Sequence, residues 1–169
     1  MIATLQLTHI PVAKAGMLIR KPVETVYEAF IDPSITTRFW FTKSSGRLEA
    51  GKRIRWDWEM YGVSSLVDVK LLEPGKRILI EWGVDEQLTT VEWIFSPRTS
   101  NSTFVSITNS GFIGEADSVV EQAMGSAAGF GLVLAGLKAY LEHGIELNLV
   151  ADRFPDQLKP HSAQGTSSR

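Results

Sequence analysis

The chain has 169 residues, with 17 Lys and Arg against 19 Asp and Glu, for a formal net charge of -2. Its 44% hydrophobic and 21% charged residues are those of an ordinary globular protein and argue against disorder. No basic run offers itself to nucleic-acid phosphates, and the absence of cysteine removes disulfides, thiolate catalysis and cysteine-ligated metals together.

Residues 1–12 are apolar but lack the Lys/Arg-rich start and small-residue cleavage site of a signal peptide, which predicts a mature cytoplasmic protein. Length predicts one domain over residues 1–150, followed by a polar, largely mobile extension over 151–169.

A first strand closes at residues 17–20. Pro22 then opens a helix, where its missing N–H costs nothing. Val23, Val26, Tyr27 and Phe30 recur at helical spacing, so residues 22–31 form an amphipathic helix. Asp32-Pro33 breaks it, because proline disfavours helical geometry in the residue before it, and a second short helix is expected over 34–39.

The middle of the chain reads as strand. Ile54, Trp56, Trp58 and Met60 alternate with Arg53, Arg55, Asp57 and Glu59, one apolar face against one charged face. Tyr61-Gly62 turns into a strand over 63–72. Glu73-Pro74-Gly75-Lys76 is a turn, since Pro sets one backbone angle and Gly accepts a positive one. Ile78, Ile80 and Trp82 alternate in the next strand, and Val91, Trp93 and Phe95 in the one after. A polar turn is expected over 96–102 and a last strand over 103–108. Successive strands with short connections predict an antiparallel meander.

From Glu115 the period becomes helical. Residues 116–142 contain no proline and end in His143-Gly144, a helix stop, which predicts a helix about 40 Å long. Within it, residues 122–137 carry no charge. That run is shorter than the roughly 18 residues of a membrane span and is closed by Glu121 and Lys138, so a buried helix is expected rather than a span.

This order of elements resembles the Bet-v-1/START-like superfamily, and within it the family of the C-terminal domain of the activator of the heat-shock-protein-90 ATPase. Pro22, Val26-Tyr27, Ala29-Phe30, Asp32-Pro33 and Trp40-Phe41 are similar to the family's helical segment and its tryptophan-containing pair. Val67, Glu73-Pro74, Arg77-Ile78 and Trp82 are similar to its central strand–turn–strand. Thr103, Thr108 and Gly111 match its last strand and following glycine, and Gly129-Phe130 with Leu137 and Leu141 its final helix, with Phe130 in place of the usual Trp. The resemblance implies an α+β helix-grip fold: a curved antiparallel sheet wrapped around a long C-terminal helix, with two short helices after the first strand and an apolar cavity between sheet and helix. It also implies a heat-shock protein 90 homologue as a possible partner.

The cavity has independent support. Four glycines in one helix (Gly125, Gly129, Gly131 and Gly136) cost roughly 3–4 kcal/mol relative to alanine. Close packing of the helix against the sheet, a bend at Gly129-Phe130-Gly131, or the removal of side chains at Gly125, Gly129 and Gly136 where a ligand sits offsets this. The facing strands carry Trp56, Trp58, Trp82 and Trp93, and Trp40 and Phe41 end a short helix beside a loop. With Gly125, Gly129 and Phe130 these form the candidate ligand-binding set for a small hydrophobic or aromatic molecule. Buried indoles need acceptors for their N–H, which a pocket water or ligand oxygen would supply.

Recognised catalytic chemistry is sparse. His9, His143 and His161 are scattered, with no zinc spacing, and no cofactor or metal is expected. No nucleophile elbow or phosphate loop is present. Ser65, Ser106 and Thr108 are the polar candidates on the inferred inward faces, while Arg55, Asp57 and Glu59 should face solvent. Three functions remain open: a binding module for an apolar ligand, an enzyme of cyclase, dehydratase or hydrolase type, and a chaperone ATPase activator.

Overall fold

The structure, a computed structural model, describes residues 5–160. Its elements in chain order are β1 (Ala13–Ile19), α1 (Val23–Ile31), α2 (Pro33–Thr36), β2 (Lys43–Ser44), β3 (Arg53–Trp58), β4 (Val63–Glu73), β5 (Arg77–Val84), β6 (Gln87–Thr99), β7 (Ser102–Ser110), α3 (Ala116–His143) and α4 (Leu149–Asp152), with 3-10 turns at Glu59–Tyr61 and Pro155–Gln157. The seven strands form one curved antiparallel sheet in the order β1-β7-β6-β5-β4-β3-β2. All neighbours follow in sequence except β1, which crosses to pair with β7 from Ala13↔Asn109 to Ile19↔Thr103. With α3 lying across this sheet, the architecture is the helix-grip α+β fold.

Alternation fixes which face of the sheet is covered. Ile54, Trp56, Val67, Val69, Ile78, Ile80, Val91, Trp93, Phe95, Val105 and Ile107 are all buried, each an alternate position in its strand. They meet across the ladder in rows such as Ile78↔Trp93 and Trp93↔Ile107. α1 adds Val26, Tyr27, Ala29 and Phe30, whose spacing places them on one side of the helix. Phe30 then packs edge-on against Phe39 and Phe95. Asp32 ends α1 and caps α2, accepting from the Ser34 amide at 2.9 Å, with Pro33 in the first turn.

By length and composition α3 is apolar enough to cross a membrane. In the fold its apolar side (Val119, Ala123, Phe130, Val133, Leu134 and Leu137) is buried, and the helix packs against β1 and β7. Gly144 closes it in the left-handed region (φ 66), and its amide reaches the Tyr140 carbonyl at 2.9 Å.

Two expectations are corrected. The second short helix stops at Thr36, short of Phe39. The polar stretch 96–102 is mostly strand: β6 continues to Thr99, with its register shifting between Pro97 and Thr99, and only residues 100–101 turn. Proline is tolerated there because its nitrogen has the parity of Phe95, whose amide points to Lys76 at the start of β5, and β5 does not extend beside residue 97. The two-residue β2 adds an edge strand that the sequence did not announce. The boundary expected at residue 150 falls inside α4, and of the extension over 151–169 only residues 151–160 are described. His161 lies outside the described residues.

Candidate functional site

A cavity of about 440 Å³ opens between the sheet and α3. This is within the ordinary range of small-molecule sites, roughly 300–1,000 Å³. One wall is aromatic. Trp82 comes from the end of β5, Trp58 from the end of β3, and Trp40 from the turn after α2. Their rings contact one another, with centroids 5.9 Å apart for Trp40 and Trp82 and 6.2 Å for Trp58 and Trp82. Phe130 of α3 meets them from the other side, 5.9 Å from Trp82 and 5.7 Å from Trp40. Edge-on and tilted ring contacts of this kind hold each ring in place without filling the space before it.

The helix wall is thin. A Cβ built on Gly125 would meet nothing within 4 Å, and one on Gly129 would meet only Nη1 of Arg153, at 3.1 Å. Gly136 is different: a Cβ there would lie 3.2 Å from both Cβ and the carbonyl oxygen of Phe39. Three of the helix glycines divide between two uses, and Gly131, where a Cβ would meet nothing within 4 Å, is not among the cavity-lining residues. Gly136 permits close packing, whereas Gly125 and Gly129 border open space.

Six of the nine expected site residues, Trp40, Trp58, Trp82, Gly125, Gly129 and Phe130, come together around this cavity. Phe41, Trp56 and Trp93 do not reach it. Each is only 1% exposed, and Phe41 stacks on Trp56 with centroids 4.5 Å apart. They form the solid layer that backs the aromatic wall. The Trp93 indole N–H is buried with no hydrogen-bond partner among the described residues.

The polar end of the lining differs from expectation. Ser65 lines the cavity, but Ser106 and Thr108 lie on the other face of β7. The buried positions of β7 are Thr103, Val105, Ile107 and Asn109. Asn109, 2% exposed, is the polar group that sequence reasoning missed. Its Nδ2 donates to Thr89 Oγ1 at 3.0 Å and to the Thr90 carbonyl at 2.9 Å, and its Oδ1 accepts from the Ser126 hydroxyl at 2.8 Å. Both amide protons and the serine proton are thereby used, so the pair presents only lone pairs to the cavity. The signal was available: Asn109 extends the alternation of Val105 and Ile107.

The last wall is a strap formed by α4 and the residues after it. Val150, Arg153 and Phe154 line the cavity. The Tyr61 hydroxyl reaches the carbonyls of Val150 and Ala151, the latter at 2.8 Å, and the Lys159 amide donates to the Met60 carbonyl at 2.7 Å. One side-chain tie and one backbone–backbone bond thus fasten the strap to the turn between β3 and β4. Arg55 and Asp57 face away as expected, paired at 2.8 Å. The Ser64 hydroxyl, then Arg55, hold the Asp57 carboxyl below its ordinary pKa.

The fold has counterparts among known proteins. No curated protein sequence matches the chain. Among solved structures, a protein from Staphylococcus saprophyticus is 31% identical, with a TM-score of 0.68 over 81% of this chain and 96% of that one. An HSP90 activator from Plasmodium falciparum is 17% identical, with a TM-score of 0.62 over 78% of this chain and 96% of its own. The di-domain ARO/CYC protein BexL of the BE-7585A biosynthetic pathway is 16% identical, with a TM-score of 0.69 over 78% of this chain and 46% of its own. The latter two likenesses concern the fold alone. The family model described as "Activator of Hsp90 ATPase homolog 1-like protein" matches residues 20–142, from the end of β1 to the last turn of α3, and the chain belongs to that family.

Proposed function

We propose that the protein binds a small apolar molecule bearing an aromatic ring system, held between the indoles of the sheet and the glycine side of α3. The observation that carries this reading is the open space itself. Trp58 and Trp82 line a cavity of about 440 Å³ whose opposite wall is Gly125 and Gly129. Rings pressed against those glycines would have spoken for plain core. Among the described residues no Asp, Glu or His lines the cavity, which favours binding over acid–base chemistry by those groups.

The same pocket supports a second reading, as an enzyme of cyclase, dehydratase or hydrolase type. One observation favours it: Ser126 and Asn109 form a bonded polar pair within a largely apolar lining. Such a pair orients a reacting hydroxyl by accepting its proton in a hydrogen bond.

Aminoanthracene, a neutral fluorescent fused-ring compound, tests the binding reading. Its emission should rise and shift to the blue on addition of protein, and the melting temperature should increase with its concentration. Gly125→Phe, which fills the mouth, should abolish both effects. No emission change and no thermal shift across a series of neutral aromatic compounds would end the proposal.

A further inference from the structure

Arg153 is the one charged residue lining the cavity among the described residues. It is half-buried and forms no ion pair with any described carboxylate, although salt bridges hold other charges among the described residues. Its guanidinium has five N–H donors, of which two make only long contacts, Nη1 and Nη2 each lying 3.4 Å from the Gly125 carbonyl. The group is nevertheless held in position. It stacks 4.9 Å from the Phe154 ring centroid, and it occupies the space that a side chain at position 129 would take. Gly129 thus makes room for a cation as much as for a guest.

A fixed guanidinium with unused donors beside an apolar cavity is suited to a carboxylate or another planar anion. The opposite polar feature is unsuited to one, since Ser126 and Asn109 offer only lone pairs and would repel negative charge. The geometry points to an acidic occupant: an apolar, aromatic body against Trp58 and Trp82, with its anionic group on Arg153 at the strap. This inference rests on the proposed binding function and specifies its ligand class.

The test compares naphthoate with naphthalenemethanol, which share a ring system and differ in charge. Affinities are read from quenching of tryptophan emission in the wild type, Arg153→Gln and Arg153→Lys, with thermal unfolding as the check on folding. The wild type should prefer naphthoate by about tenfold, close to 1.4 kcal/mol, and the preference should shrink as salt is raised. Arg153→Gln should remove the preference by weakening naphthoate binding, and Arg153→Lys should retain part of it. Equal binding of the two compounds by the wild type would overturn the assignment of an acidic ligand and leave the binding function standing. A preference that survives in Arg153→Gln would overturn it as well. Failure of both compounds to bind would overturn the assignment and the binding function together.

Discussion

The hydroxyl of Ser126 donates to Oδ1 of Asn109 across 2.8 Å, joining the cavity side of α3 to the last strand of the sheet. Asn109 lies in a row that is otherwise apolar, opposite Val91 on one side and Ala13 on the other. Its side chain is satisfied only because Thr89, the Thr90 carbonyl and Ser126 converge on it. Asn109→Ala leaves the Thr90 carbonyl and the serine hydroxyl without this partner. The expected cost is about 1–3 kcal/mol, which for a chain of this size is a fall in Tm of several degrees. Urea denaturation gives the value directly, and an unchanged midpoint would show that water replaces the amide without loss.

Gly125 and Gly136 sit on the same helix and should respond oppositely to alanine. At Gly125 the new methyl group meets nothing, so the gain in helix propensity of about 1 kcal/mol should appear as added stability. At Gly136 it meets the Phe39 carbonyl oxygen at 3.2 Å, and backbone yields poorly. Gly136→Ala should therefore melt below the wild type. Thermal melts of the pair decide the point, and stabilisation by both would mean that the contact at Phe39 relaxes freely.

Tyr61→Phe removes the tie between the β3–β4 turn and the carbonyls of Val150 and Ala151. The sheet and α3 do not depend on it. The expected outcome is faster amide exchange confined to residues 149–158, with the core strands unchanged. Uniform protection across both regions would assign the strap's order to its other contacts.

The Tyr27 hydroxyl is buried with no partner among the described residues, and its ring packs edge-on against Phe95. Burial first, then the nearby Glu28 and Glu73, push its pKa above the ordinary phenol value. Since the folded pKa is the higher one, this group contributes stability below the unfolded pKa of about 10 and loses it as pH rises through the folded value. Tyr27→Phe should keep the neutral-pH Tm at or above that of the wild type and flatten the alkaline limb of the stability profile. A clear loss of stability at neutral pH would reveal a hydrogen bond to water.

The architecture was legible because each level of the sequence agreed with the next. Period-two alternation in β3, β5 and β6 named the covered face, Pro22 and Asp32-Pro33 placed the short helices, and Gly144 placed the end of α3. The site was legible only in part, for a geometric reason. Trp56 and Trp58 have the same parity, yet Trp56 is sealed under Phe41 whereas Trp58, where β3 ends, borders the cavity. Periodicity reports which side of a sheet a residue faces, and says nothing about how far along the strand the core gives way to space. Ser106 and Thr108 were assigned to the wrong parity, although Val105 and Ile107 already marked the other one. The strap was hidden for a different reason: its composition is polar, and Val150, Arg153 and Phe154 acquire a role only through contacts with residues about 25–90 positions away.

No residue of α4 or of the turn at Pro155–Gln157 is fully buried. Apart from Val150, which packs against the main core, the segment that completes the pocket lies outside the residues that hold the domain together. Substitutions there, Val150 apart, leave the hydrophobic interior to fold as before, so one wall of the cavity can change its shape and charge while the scaffold behind it stays the same.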